Sequence, residues 1–397
     1  MYKTSILKRI ALAAAISNVM LLSAYCLSDM AGAEASQNVS AQSVQGCQVA
    51  KRTEDEIREY LKNHPFDLYK SISYAAEPDA SADVIGRLSD KTLQDAVNAL
   101  NMVRFIAGLS EVGLDDEYIN LTQAASFVNS INDELSHTPS KPPTVSEAVY
   151  ELGYRGASSS NIAMGYVNPA NSIIYGYMND GNAHNIDRVG HRRWCLNPSM
   201  EKTGFGQVGR YSAMYAFDGS FGYTGEYNVA WPAQKMPTEY FGSDQPWSLS
   251  TGSFLDADSV KVTLTRRSDS KKWNFSSKRS DGFFNVENSY YGQPGCVIFR
   301  PDGIEDFKSG DSFSVVIETG EDTISYDVEF FDLVNYGDVN GDGKVNAVDA
   351  KWVLQSVSGS RTLISDQRAV ADVNRDGDIN AVDAKWILQA ASGSREF

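Results

Sequence analysis

Residues 338–355 read DVNGDGKVNAVDAKWVLQ, and residues 372–389 read DVNRDGDINAVDAKWILQ. Over the longer spans 338–361 and 372–395, 18 of 24 positions are identical. Each copy sets oxygen-bearing side chains at the first, third, fifth, ninth and twelfth places of a loop. These are Asp338, Asn340, Asp342, Asn346 and Asp349 in the first copy, and Asp372, Asn374, Asp376, Asn380 and Asp383 in the second. Gly343 and Gly377 stand sixth, where the chain must turn sharply. The seventh residues, Lys344 and Asp378, offer their backbone carbonyls. A hard cation such as Ca²⁺ takes about six to eight oxygens, and this spacing supplies them. Two bound Ca²⁺ ions are therefore expected.

Each loop runs into a helical stretch, AVDAKWVLQ or AVDAKWILQ. No helix is expected to enter either loop, since Val334-Asn335-Tyr336-Gly337 before the first is turn-like. Position twelve is Asp, where a sensor EF-hand usually carries a bidentate Glu. This pattern resembles a type I dockerin, the plug module of cellulosomes, over about residues 336–397. The resemblance implies an all-α calcium-binding module that docks onto a cohesin module of a scaffoldin. The cohesin-reading positions it implies are Ala347, Val348, Leu354 and Gln355, repeated as Ala381, Val382, Leu388 and Gln389. All four are identical between the halves, so either half is expected to dock. Many dockerins carry a hydroxyl pair where Ala-Val stands here, which points to a distinct, apolar cohesin contact. Trp352 and Trp386 are expected to pack between the helices.

The chain has 397 residues and a formal net charge of −16. That charge argues against nucleic acid and against an anionic membrane surface, both of which would repel it. Residues 1–33 combine Lys3, Lys8 and Arg9 with an apolar run from Ile10 to about Leu27 and the small residues Ala31-Gly32-Ala33. This is the pattern of a cleaved secretory signal, with an uncleaved anchor as the other reading and a lipoprotein at Cys26 disfavoured by the bulky Tyr25. The two patterns together lead us to expect a secreted, extracellular protein in a cellulosome at the cell surface, without stable membrane insertion. Cys47, Cys195 and Cys296 would then remain, too few for a disulfide framework.

Residues 34–90 read as a linker and an N-terminal helical segment, with a capping box at Thr53–Glu56 and Pro65 limiting the helix. A helix from Asp90 puts Leu93, Ala96, Leu100, Val103 and Ala107 on one face, and another from about Asp116 turns Leu121, Ala125, Val128 and Leu135 inward. A second capping box is expected at Thr144–Glu147, with a short helix to about Gly153. Residues 236–335 alternate apolar and polar residues between turn signals, as in Val260, Val262 and Leu264, and read as a small antiparallel β module. Trp247, Trp273, Tyr290 and Tyr291 in it could stack on sugars or fill its core.

Between these parts lie Ala99–Arg104, His137, Ser159-Ser160-Asn161-Ile162-Ala163-Met164-Gly165, His191-Arg192-Arg193-Trp194-Cys195-Leu196-Asn197-Pro198 and Gly204-Phe205-Gly206. This order resembles the CAP superfamily, the cysteine-rich secretory, antigen-5 and pathogenesis-related group. The resemblance implies an α-β-α sandwich over residues 91–235, with a cleft holding His137 and His191. His184 lies in what looks like a short insertion, and Ser160 stands where the family's glutamate would be. Two facing imidazoles can bind Zn²⁺ or shuttle protons, while a hydrolytic zinc site needs three protein ligands. His184, Glu147 and Asp180 are the candidate thirds. Nothing in the sequence pairs Ser158–Ser160 with a base. Arg104, Arg192 and Arg193 are expected on helix surfaces or in ion pairs. The module could be a binding module for plant cell-wall polysaccharide or another surface ligand, or a glycoside- or peptide-bond hydrolase using His137 and His191.

Overall fold

The computed structural model describes residues 49–222, 228–320, 322–374 and 376–395. The signal-like segment, most of the linker, Cys26 and Cys47 lie outside them. Among the described residues no helix is long and apolar enough to cross a membrane.

Helix α1 (Glu54–Asn63) opens on the Thr53 capping box, with Glu56 reaching back to the Thr53 amide. Helix α2 (Asp90–Ile106) buries Leu93, Ala96, Leu100 and Val103, and Ala107 is buried at its C-cap. Helix α3 (Asp116–Asn132) buries Leu121, Ala125 and Val128, but it ends at Asp133 in the left-handed region. Leu135 therefore falls beyond it and is 38% exposed at the mouth of a cleft, contrary to its expected inward place. Helix α4 (Glu147–Ser158) is capped by Ser146, whose hydroxyl accepts from the amide of Val149. The expected box at Thr144 was two residues out of register, because Ser146 offers the same chemistry nearer the helix.

A three-stranded antiparallel sheet follows, in the order Ser160–Met164, Tyr211–Tyr215, Phe205–Val208. Strand alternation divides its side chains between two helical layers. Ile162 and Ala213 pack with Ala125 of α3 and Ala157 of α4. Ala163 and Met214 join the cluster that holds α2 and Ile173 and Ile174. Helix α3 crosses so close that a Cβ on Gly206 would lie 2.3 Å from the Gln123 amide nitrogen. Only glycine fits there, which explains the second glycine of Gly204-Phe205-Gly206. The short helix α5 (Pro169–Asn171) continues into a π-helix, Ser172–Tyr177. Helix α6 (Gly190–Cys195) follows.

Two further sheets are ordered (282–287)-(296–301)-(247–250)-(229–231) and (272–276)-(261–266)-(312–318)-(323–331)-(235–237). All their pairs are antiparallel except that between Lys235–Pro237 and Thr323–Phe331. They draw in Val229–Trp231, upstream of residue 236. Their aromatic interior includes Trp247, Phe275, Phe299, Phe313 and Phe330. Trp247 and Trp273 are buried there, so neither is available to stack on a sugar.

The C-terminal part contains α7 (Ala347–Val357), α8 (Ser365–Ala371) and α9 (Ala381–Ala391). Its own core joins equivalent residues of the two copies: Val339, Ala350 and Val353 with Val373, Ala384 and Ile387. Helix α8 ends directly before Asp372, so a helix does enter the second loop, contrary to expectation. The stretch between the copies is long enough to form it, and the turn before the first loop is not.

Candidate functional site

The two loops are built by the side chains that define them. In the first, Asp338 accepts from the amides of Gly341, Asp342 and Gly343. Asn340 accepts from the amide of Asp342, and Asp342 from that of Lys344. The fully buried Asp349 accepts from the amides of Asn340 and Asn346, at 3.0 and 2.9 Å, and so closes the loop on itself. In the second, Asp372 accepts from the amides of Asp376 and Gly377, and the buried Asp383 from those of Val373 and Asn380. Gly343 and Gly377 have φ of +82° and +90°. That is a conformation glycine adopts without steric cost.

The donor set in each loop is three carboxylates, two amide oxygens and one carbonyl, all hard oxygens suited to Ca²⁺. Among the described residues no three His, Cys, Asp or Glu side chains converge as a metal site. The loop carboxylates Asp338, Asp342 and Asp349 accept from loop amides instead.

Beyond the loops, AVDAKWVLQ and AVDAKWILQ share one pattern of exposure, residue for residue. Val348 and Leu354 are 47% and 46% exposed, and Val382 and Leu388 are each 45% exposed. Trp352 and Trp386 pack on the core below, each capped by an arginine: Arg361 at 3.6 Å and Arg395 at 3.2 Å from the ring centroid. The same arginines donate to the Gln355 and Gln389 side chains and hold them in place.

The second site is a cleft of about 730 Å³, lined by His137, Ser160, Asn161, Tyr166, Asn185, Arg188, His191, Trp194, Phe217 and Tyr291 among others. His137 Nδ1 lies 2.9 Å from the Ala157 carbonyl. His191 Nδ1 lies 2.8 Å from Asp180 Oδ1. Both partners accept, so each Nδ1 carries a proton, and in the neutral ring each Nε2 is left as an acceptor. Burial opposes a charged His191 ring, but the charge of Asp180 and the hydrogen bond to it outweigh that, and its pKa stands above the ordinary value. Asp180 also accepts from the Arg192 amide through Oδ2.

The backbone here is unusual. Val189 has φ +42° and Asp180 has φ +47°. A β-branched residue rarely adopts such a φ, and outliers of this kind concentrate at functional sites. At the cleft wall the Ser160 hydroxyl, 4% exposed, has no hydrogen-bond partner among the described residues. A buried, unpaired hydroxyl costs stability unless something fills it.

The expected three-histidine cluster does not assemble. His184 is exposed and is not among the residues lining the cleft, because the stretch that carries it turns outward. Glu147 ion-pairs with Lys141 at the start of α4. Asp180 supports His191 from behind and does not reach the cleft as a third ligand. The arginines also depart from expectation. Arg104 and Arg192 are fully buried and bond to carbonyls, Arg104 to those of Ser110, Cys195, Asn197 and Met200. Burial lowers the pKa of each to about 10. Arg193 is buried as well. Cys195 and Cys296 are free and buried, and burial pushes both thiols up.

A family model for the cysteine-rich secretory protein (CAP) family matches residues 97–226, and one for the type I dockerin domain matches residues 336–390. No curated protein and no solved structure matches the chain. The chain thus carries a CAP domain and a C-terminal type I dockerin. Type I dockerins bind calcium and the cohesin modules of scaffoldins, which implies docking into a cellulosome.

Proposed function

We propose that this protein is a secreted cellulosome component whose dockerin, loaded with two Ca²⁺ ions, presents either of two equivalent faces to a cohesin. Its CAP module offers its cleft to a ligand or surface in plant polysaccharide degradation. The observation that carries the docking reading is the matched exposure of Val348 and Leu354 with Val382 and Leu388. Exposed apolar side chains at equivalent sites on two copies of one loop-helix are what a symmetric docking face needs. The six loop oxygens around each metal would be Asp338, Asn340, Asp342, Lys344 (carbonyl), Asn346 and Asp349, and Asp372, Asn374, Asp376, Asp378 (carbonyl), Asn380 and Asp383. Bound Ca²⁺ would neutralise each cluster of carboxylates and fix the start of α7 or α9.

For the cleft, binding is favoured over hydrolysis. Ser160 replaces an acidic residue that the family resemblance would put there. Among the described residues no carboxylate lines the cleft, whereas glycoside hydrolysis uses a flanking pair. The hydrolase reading keeps one observation in its favour, the Asp180–His191 pair, which could act as a base through Nε2.

The experiment is a binding screen of the full secreted chain against a panel of cohesins, run in calcium and in excess chelator. At least one cohesin should bind in calcium and release in chelator. Binding that ignores the chelator would defeat the docking reading. Product release from wall polysaccharide or casein, lost in a His137→Ala/His191→Ala variant, would replace the binding reading of the cleft by the hydrolase one.

A further inference from the structure

One wall of the CAP cleft is not made by the CAP module. Tyr290 and Tyr291 lie between the strands Gly282–Glu287 and Cys296–Pro301, yet both stand against Trp194 of α6, and Tyr291 lines the cleft while Tyr290 adjoins it through that indole. Their ring centroids are 6.0 and 6.3 Å from that of Trp194. Phe217 packs on the same indole at 4.7 Å. Arg193 fixes this arrangement. Its Nη2 donates to the carbonyls of Ser289 and Gln293, both at 2.7 Å, and its guanidinium lies over the Tyr291 ring at 5.0 Å. Gly190 makes the room, since a Cβ there would come within 3.0 Å of the Tyr291 ring. The loop is thus seated on α6 by buried contacts.

What this seat displays is aromatic and open. Tyr290 is 61% exposed and Phe217 is 53% exposed. Beside it the cleft turns polar. It offers the unpartnered Ser160 hydroxyl, the Nε2 atoms of His137 and His191, and the side chains of Asn182 and Asn185. Aromatic faces next to convergent hydrogen-bonding groups suit a ligand with apolar C–H faces and hydroxyls at its edge. A sugar ring has both. A lipid tail would leave the Ser160 hydroxyl unsatisfied. A polyanion would be opposed by the net charge of −16.

We propose that the cleft and this aromatic wall together bind a neutral oligosaccharide, held by ring stacking at Trp194, Phe217, Tyr290 and Tyr291 and by hydroxyl bonds at Ser160 and the two histidines. This rests on reading the cleft as a ligand site. It makes the β module part of that site.

The test is calorimetry of the full chain, in calcium, against cellohexaose, xylohexaose and mannohexaose, with a cholesterol analogue and a casein-derived peptide as the other ligand classes. At least one hexasaccharide should bind. Tyr290→Ala and Phe217→Ala, both at exposed positions, should each weaken it by roughly fivefold with an unchanged melting temperature. Ser160→Ala should weaken it too. Hexasaccharide binding that the Tyr290→Ala/Phe217→Ala double variant leaves intact would overturn the aromatic wall. Binding of the sterol or the peptide alone, sensitive to Ser160→Ala, would overturn the sugar assignment and leave the cleft as a ligand site. No binding of any class would overturn both.

Discussion

Consider a chain in which one docking face is erased by Val348→Ala and Leu354→Ala. Both side chains are about half exposed, at 47% and 46%, as are Val382 and Leu388 at 45% each. If both faces dock with equal strength, the wild type has two ways to bind and the variant has one. The association constant should fall by about a factor of two, or RT ln 2, roughly 0.4 kcal/mol. The mirror variant, Val382→Ala/Leu388→Ala, should lose the same factor. Erasing both faces is a different matter. Burying the exposed half of one valine and one leucine contributes about 1 kcal/mol each, so the fourfold variant should lose about 2 kcal/mol, or roughly thirtyfold. Surface plasmon resonance against a cohesin that binds the wild type resolves these cases. A thirtyfold loss in one pair variant with none in the other would refute the equivalence of the two faces.

Other consequences follow from the buried groups. Arg192→Met should destabilise the chain by about 3 kcal/mol in urea unfolding, because the carbonyls of Met178, Asn179 and Pro246 and the Ser248 hydroxyl lose a buried donor. A change under about 1 kcal/mol would show that these acceptors are readily hydrated. His191 has a raised pKa, so its bond to Asp180 contributes in full below the unfolded value of about 6.5 and fades as pH rises through the folded value. The stability gap between wild type and Asp180→Asn should therefore narrow from pH 5.5 to pH 9, and a constant gap would contradict the ion pair. Cys195 and Cys296 should resist a thiol reagent in the native state and react once urea unfolds the chain, which absorbance of the released thiolate reads.

The calcium loops were legible because their logic is local. Each oxygen and each glycine is fixed by its place within twelve residues, so Asp338 and Asp349 could be named from spacing alone. The amphipathic faces of α2 and α3 were legible for the same reason. Leu135 was not, because the left-handed turn at Asp133 ends the helix before the proline that seemed to end it. Arg192 reads as a surface cation, since long charged side chains usually are. Its acceptors include Pro246, 54 residues away, and no local pattern announces such a distant carbonyl. His184 had the right chemistry but lies on a stretch that turns away from the cleft. Tyr291 enters the cleft, and Asp180 comes to stand behind His191, through tertiary packing alone. Only the left-handed Asp180 and Val189 hint at it, and that hint exists in dihedral angles and not in the sequence.

The most direct test of the account is a calorimetric calcium titration of the metal-stripped full chain, followed by addition of a cohesin. The account predicts two Ca²⁺ ions per chain, ordering of residues 336–395 seen as slowed amide exchange, and one cohesin bound only after the calcium. Fewer than two ions, or a cohesin that binds the stripped chain equally well, would contradict it.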